Sequence, residues 1–172
     1  MDKIYKPASG VPSFYQPYMD KVPNDGDLMQ NLQDIQTETG QIISGLSADK
    51  LNYRYRSDKW TIKDIMLHLS DCERVIIYRA MRIARADTTD LPGFDENLFV
   101  ANAHADSREI DDILNELSVV RAATLVFIKT LDDEALDRMG TANGYALSAR
   151  LLVNHIYGHH RHHLDIITER YL

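Results

Sequence analysis

Five histidines fall between residues 155 and 163: His155, His159, His160, His162 and His163. Neutral imidazole is a common ligand for divalent metals and binds through either ring nitrogen. The segment Asn154–Leu164 reads as helix, where residues three or four apart share a face. His155/His159 and His159/His163 are four apart; His159/His162 and His160/His163 are three apart. Two imidazoles one turn apart can aim at a common atom, the geometry of helix-borne zinc sites. A solvated polar face or a metal-scavenging tract would also account for a histidine run. The interleaved Ile156, Leu164 and Ile166 argue against such a tract, because they keep the segment amphipathic. On a helical wheel the apolar residues centre near Ile156 and Ile167. His163 and His160 lie close to that direction, His159 at its edge, and His155 and His162 further toward solvent. The wheel therefore makes His163 one inward histidine. It leaves His159 and His160 competing for the other place.

Two imidazoles do not complete a metal site in a helix bundle, which draws three or four ligands from more than one helix. The remaining histidines are His68 and His104. His68 lies within a second helical stretch, beside its apolar stripe, and is the natural third ligand. Taken alone, a histidine there would be read as a hydrogen-bonded boundary residue. A three-histidine zinc site keeps one position open for water or substrate, as catalytic sites do. Asp64 and Asp71 lie four residues before and three after His68, so each is a candidate to orient a ligand or act on substrate. His160 is a third such candidate. Asp64 is equally placed to cap its helix, and Asp71 to be solvated. The single cysteine, Cys72, excludes a disulfide framework and a cysteine-based zinc site, and its place on the apolar stripe makes it a core residue. Ser148 is a helix cap rather than a nucleophile, and no glycine-rich phosphate loop is present.

The elements that must carry these residues are helices. Leu28, Leu32, Ile35, Thr39, Ile42 and Ile43 recur at helical spacing from about Asp27. A second helix opens at Thr61, with Asp64 in the capping-box position, and runs to about Ala86. A third begins at Asp106 or Ser107 and carries Ile110, Leu114, Leu117, Val120, Leu125 and Ile128. A fourth opens at Ser148. Residues 88–105 hold Pro92-Gly93 and no sustained period, so they read as a long loop. Short helices fit residues 47–51 and 132–137. Asn143-Gly144 is a hairpin signal, but its flanks are short and polar, and no strand is assigned. Four of the five prolines precede residue 27, so residues 1–26 form an extended arm, and its aromatics predict that it lies across the domain. The expected fold is all-α, a four-helix bundle over residues 27–172 behind that arm. With 172 residues, a single core is sufficient. The excess of 26 acidic over 19 basic residues, a formal charge of -7, argues against nucleic acid as partner. No run is long and apolar enough for a membrane span, and the N-terminus has no apolar segment of a secretory signal; a cytoplasmic protein is expected.

Two stretches carry a family resemblance. Trp60-Thr61-Ile62-Lys63-Asp64-Ile65-Met66-Leu67-His68-Leu69-Ser70-Asp71 resembles the first signature of the DinB-like superfamily. Gly158-His159-His160-Arg161-His162-His163-Leu164 resembles the second. Tyr78-Arg79-Ala80-Met81-Arg82 and Leu91-Pro92-Gly93-Phe94-Asp95 are similar to a DinB subgroup. The resemblance spans about residues 27–171. It implies a four-helix bundle holding a divalent ion, zinc or nickel above others, on three histidines: His68, His159 and His163. It thereby chooses His159 over His160. It also implies a small metalloenzyme that activates water or a thiol, as a metal-dependent hydrolase or a thiol S-transferase, with a low-molecular-weight thiol as a further cofactor. The substrate is then a small molecule that the sequence does not name. Relatives are often homodimers, an arrangement the aromatic arm could serve. The alternative is a non-catalytic metal-binding or stress-response protein with a structural metal.

Overall fold

The computed structural model describes residues 3–172. Four long helices form the frame: α2 (Leu28–Ile43), α4 (Ile62–Ala84), α6 (Ile110–Ile128) and α8 (Ala149–Arg170). Shorter pieces connect them: α1 (Gln16–Met19), α3 (Ala48–Asn52), α5 (Glu96–Asn102) and α7 (Asp133–Asp137). A hairpin of β1 (Met139–Ala142) and β2 (Tyr145–Ser148) precedes α8. The result is a four-helix bundle. α2 packs against α6 and α8, and α4 packs against the same two, so α2 and α4 face each other across a diagonal. Consecutive long helices are therefore not all neighbours, as they would be in an up-and-down bundle. The arrangement sets α4 beside α8, the two helices that carry the candidate ligands.

The helix starts follow local chemistry. Thr61 Oγ1 accepts from the Asp64 N–H at 3.0 Å, and Asp64 Oδ2 accepts from the Thr61 N–H at 2.9 Å, a reciprocal capping box. Ser148 Oγ accepts from Leu151 N–H and opens α8. Asp95 and Asp132 cap α5 and α7 in the same way. On α2 the expected stripe is buried, including Leu32, Ile35 and Ile43.

Several expectations need correction. The long loop holds α5, because Asp95 supplies a cap that the proline-glycine pair had masked. The third long helix starts at Ile110, after a separate 3-10 turn at Ala105–Ser107 entered through His104 at positive φ. Its core face includes Ile113, fully buried, whereas Leu114 and Leu125 are half-buried; with Val119 and Val126 exposed, α6 is apolar on several sides and periodicity does not select one. The hairpin forms after all. Asn143 and Gly144 both take positive φ, 52° and 76°, which the tight hairpin turn demands. Leu91 adds a bridge to Ala142, so pairing beyond the turn compensates for the short flanks.

The N-terminal segment is not extended throughout. Residues 16–19 make a helical turn with Pro17 in its first turn, where a missing N–H costs nothing. Ile4, Tyr15, Met19 and Val22 are buried in one cluster with α2, α4 and α8. Lys6 Nζ donates to the carbonyls of Met19 and Val22, both at 2.9 Å, and holds that turn closed.

Candidate metal centre

His68 leaves α4 and His159 and His163 leave α8, where the two helices lie against each other. The Nε2 atoms of His68 and His163 each lie 3.1 Å from His159 Nε2. A neutral imidazole nitrogen carries either one proton or one in-plane lone pair. His159 Nε2 therefore cannot make two good hydrogen bonds of the same kind, whereas one cation can meet all three lone pairs. At zinc–nitrogen distances of about 2.0–2.1 Å, tetrahedral ligands sit roughly 3.3–3.4 Å apart. The observed 3.1 Å spacing is close to that requirement. Burial holds the rings neutral: His68 is pushed down to about 4, and His159 and His163 well below the usual histidine range. For His159 the neighbouring imidazoles add to the burial. Neutral rings are the form that binds metal. Trp60 lies against His68, with ring centroids 4.6 Å apart, and stacks on His163.

The cluster forms part of the wall of a cavity of about 220 Å³. Phe14, Tyr15 and Tyr18 from the N-terminal segment, Trp60 before α4, and Phe94 before α5 give it aromatic sides. Gly158 of α8 is what lets the N-terminal segment approach. A Cβ there would stand 2.2 Å from the Tyr18 carbonyl oxygen, so only glycine fits.

The family model of the DinB superfamily matches residues 31–167. The chain belongs to the DinB superfamily. No curated protein matches it significantly. Among solved structures, the chain is similar to YfiT from Bacillus subtilis, described as "a probable metal-dependent hydrolase with an unusual four-helix bundle topology". That match has a TM-score of 0.76 and 18% identity, and covers 96% of this chain and 90% of YfiT. At that identity it speaks for the fold.

The other candidates of this DinB-superfamily chain lie elsewhere. His160, 1% exposed, is buried in the interior of the bundle. Arg121 Nη2 lies 3.1 Å from His160 Nδ1 and Thr39 Oγ1 lies 2.8 Å from its Nε2. An arginine only donates, so Nδ1 accepts, the ring proton sits on Nε2, and Nε2 donates to Thr39. Both nitrogens are spent, which removes His160 from the competition with His159. Arg121 is itself held by Glu73 through two bonds of 2.9 Å, and its Nη1 donates to the Leu32 carbonyl. This buried network joins all four long helices directly beside His159. Asp64 is occupied by the capping box and by Arg54 at 3.0 Å. Asp71 pairs with Arg74 at 3.2 Å. Neither aspartate is hydrogen-bonded to the imidazole cluster. Glu96, at the start of α5, lines the cavity.

Cys72 is a core residue that also reaches the imidazole cluster. It is buried, and the ligand atoms of His68, Cys72 and His159 all lie within 4.8 Å of one another. Its Sγ is 3.5 Å from His68 Nδ1 and 3.6 Å from Nε2, so it faces the ring without being in line with either nitrogen. Burial pushes the thiol up to about 12. The signal was present in the four-residue spacing from His68, the same spacing that was used for the histidine pairs. His155, expected further toward solvent, is buried instead, because the N-terminal segment covers that side of α8. It lies in the cavity wall between Tyr15 and Tyr18, with centroids 4.9 and 4.8 Å away, and its Nδ1 has no partner among the described residues.

Proposed function

We propose that the protein is a divalent-metal-dependent enzyme in which His68, His159 and His163 hold the ion and a small molecule enters the adjoining cavity. The observation that carries this reading is that the Nε2 atoms of His68 from α4 and His163 from α8 each lie 3.1 Å from His159 Nε2, on the cavity wall. An all-imidazole donor set suits zinc or nickel. The bound ion supplies a Lewis acid that makes a water or a thiol nucleophilic near neutral pH. The chain does the rest. Burial keeps the three rings neutral, α4 and α8 fix their directions, and aromatic side chains line the cavity beside them. Hydrolysis and transfer of a low-molecular-weight thiol are the two matching reaction classes. The description of YfiT favours the first.

A second reading has its own observation. Cys72 could close the shell as a fourth ligand, which would make the site structural. Elemental analysis of tag-free protein tests the triad. About one equivalent of metal is expected in the wild type, and loss of it in His68→Ala, His159→Ala and His163→Ala. Equal metal content in all four proteins would overturn it.

A further inference from the structure

The cavity holds a second functional group, well away from the imidazoles. His68, Cys72, Ile76 and Arg79 follow one another along α4 at helical spacing, and all four line the cavity. Arg79 is eleven residues beyond His68, or about 16 Å along a helix axis. It is 6% exposed. One Nη donates to the Pro92 carbonyl at 2.6 Å, and its guanidinium carbon lies 5.7 Å from the Phe94 ring centre. No carboxylate comes within 4.0 Å of it among the described residues.

That is an unusual state for a buried cation, which is normally paired. The same molecule shows the usual solution at Arg121, where Glu73 takes two of its donors and a carbonyl a third. Arg79 has one carbonyl and one ring face for five N–H donors. The remaining donors belong to a cavity with aromatic sides. The Nδ1 of His155 in the same wall also has no partner among the described residues. Glu96 is the one carboxylate lining the cavity, and it is exposed at the rim. One guanidinium and one rim carboxylate suit a monoanion better than a phosphate dianion. A planar fork matches a carboxylate.

We propose that Arg79 is the specificity residue of this cavity, and that the substrate is a small molecule joining an apolar or aromatic body to a carboxylate. The proposal rests on the reading of this cavity as the substrate pocket of a metal-dependent enzyme. The carboxylate sits on Arg79, the body lies between Tyr18, Trp60 and Phe94, and the reacting group faces the three histidines.

Phenylacetate and its neutral isostere phenylacetamide are suitable probes, titrated calorimetrically into metal-loaded and chelator-stripped protein. Phenylacetate is expected to bind the wild type at least about tenfold more tightly than the amide, since charged hydrogen bonds are worth about 1.5–3 kcal/mol. The preference should persist without metal, because Arg79 rather than the ion holds the carboxylate. Arg79→Gln should abolish the preference while metal content and amide affinity stay unchanged, and Arg79→Lys should retain part of it. Equal affinity for the two probes in wild type, or no binding of either at millimolar concentration, would overturn the proposal without any variant having to fold. So would an unchanged preference in Arg79→Gln. Metal content, measured on the same samples, separates the two ideas. A wild type that takes up no metal when metal is supplied, yet prefers phenylacetate, overturns the metalloenzyme reading alone, and a metal-loaded wild type without the preference overturns the Arg79 assignment alone.

Discussion

Cys72 decides between an open and a closed centre, and the decision turns on one sulfur atom. With its thiol pushed up to about 12, it is protonated at neutral pH and would have to lose that proton to bind metal. It faces the His68 ring at 3.5–3.6 Å rather than aligning with either nitrogen, so we expect an all-nitrogen shell. The cobalt-substituted protein should then show no sulfur-to-cobalt band in the near ultraviolet, and Cys72→Ser should leave its visible spectrum and metal content unchanged. A sulfur band lost in Cys72→Ser would establish the closed centre instead. The imidazoles also set a pH dependence in the metal-free protein. Unfolded histidine titrates near 6.5, whereas buried His68 titrates at about 4. Between those values the unfolded chain binds more protons than the fold does, so stability falls as pH drops from 6.5 toward 4. Chelator-treated His68→Gln should show a shallower fall in urea midpoint between pH 7 and pH 5 than chelator-treated wild type. An identical fall would mean that His68 titrates normally in the fold.

At the scale of elements, the contact between the N-terminal segment and α8 controls the cavity. Gly158→Ala should improve helix propensity by up to about 1 kcal/mol. The new methyl would meet the Tyr18 carbonyl, however, and overpacking of this kind costs about 1–3 kcal/mol. The clash should win, through displacement of the segment from α8. Circular dichroism should stay helical while proteolysis of residues 5–20 accelerates and the melting temperature falls; an unchanged cleavage rate would contradict the close contact. The sequence disclosed these elements unevenly. Thr61 and Ser148 were legible as caps because capping is a local hydrogen bond between near neighbours. The turn at residues 16–19 was not legible among the prolines, and its end is further tied by Lys6, ten or more residues earlier in the chain. The Gly158 contact was invisible for a similar reason: it joins residues far apart in the chain.

For the molecule as a whole, a ligand that binds only the folded state adds stability in proportion to the logarithm of its concentration. The proposed ligand pair on α8 and the proposed single ligand on α4 come together only when those helices pack. A metal held at about 1,000 times its dissociation constant contributes roughly 4 kcal/mol. For a chain of this size that raises the melting temperature by about 8–16 °C. Differential scanning calorimetry with and without chelator measures the shift. His159→Ala should abolish it, and a shift of wild-type size in that variant would place the ion elsewhere.

The sequence by itself determined the four amphipathic helices, their caps and the facing of His163 toward the core, because each depends on neighbours within a few residues. Its helix stripe also pointed to His68 as a third ligand, and its family resemblance preferred His159 over His160. Only the tertiary structure decided the rest. It spent both nitrogens of His160 on Arg121 and Thr39, and it brought Cys72 to the imidazoles. It also left Arg79 without a carboxylate partner in the same cavity. Those outcomes depend on which faces of α2, α4, α6 and α8 meet across the bundle, and a helical period specifies a face without naming its partner.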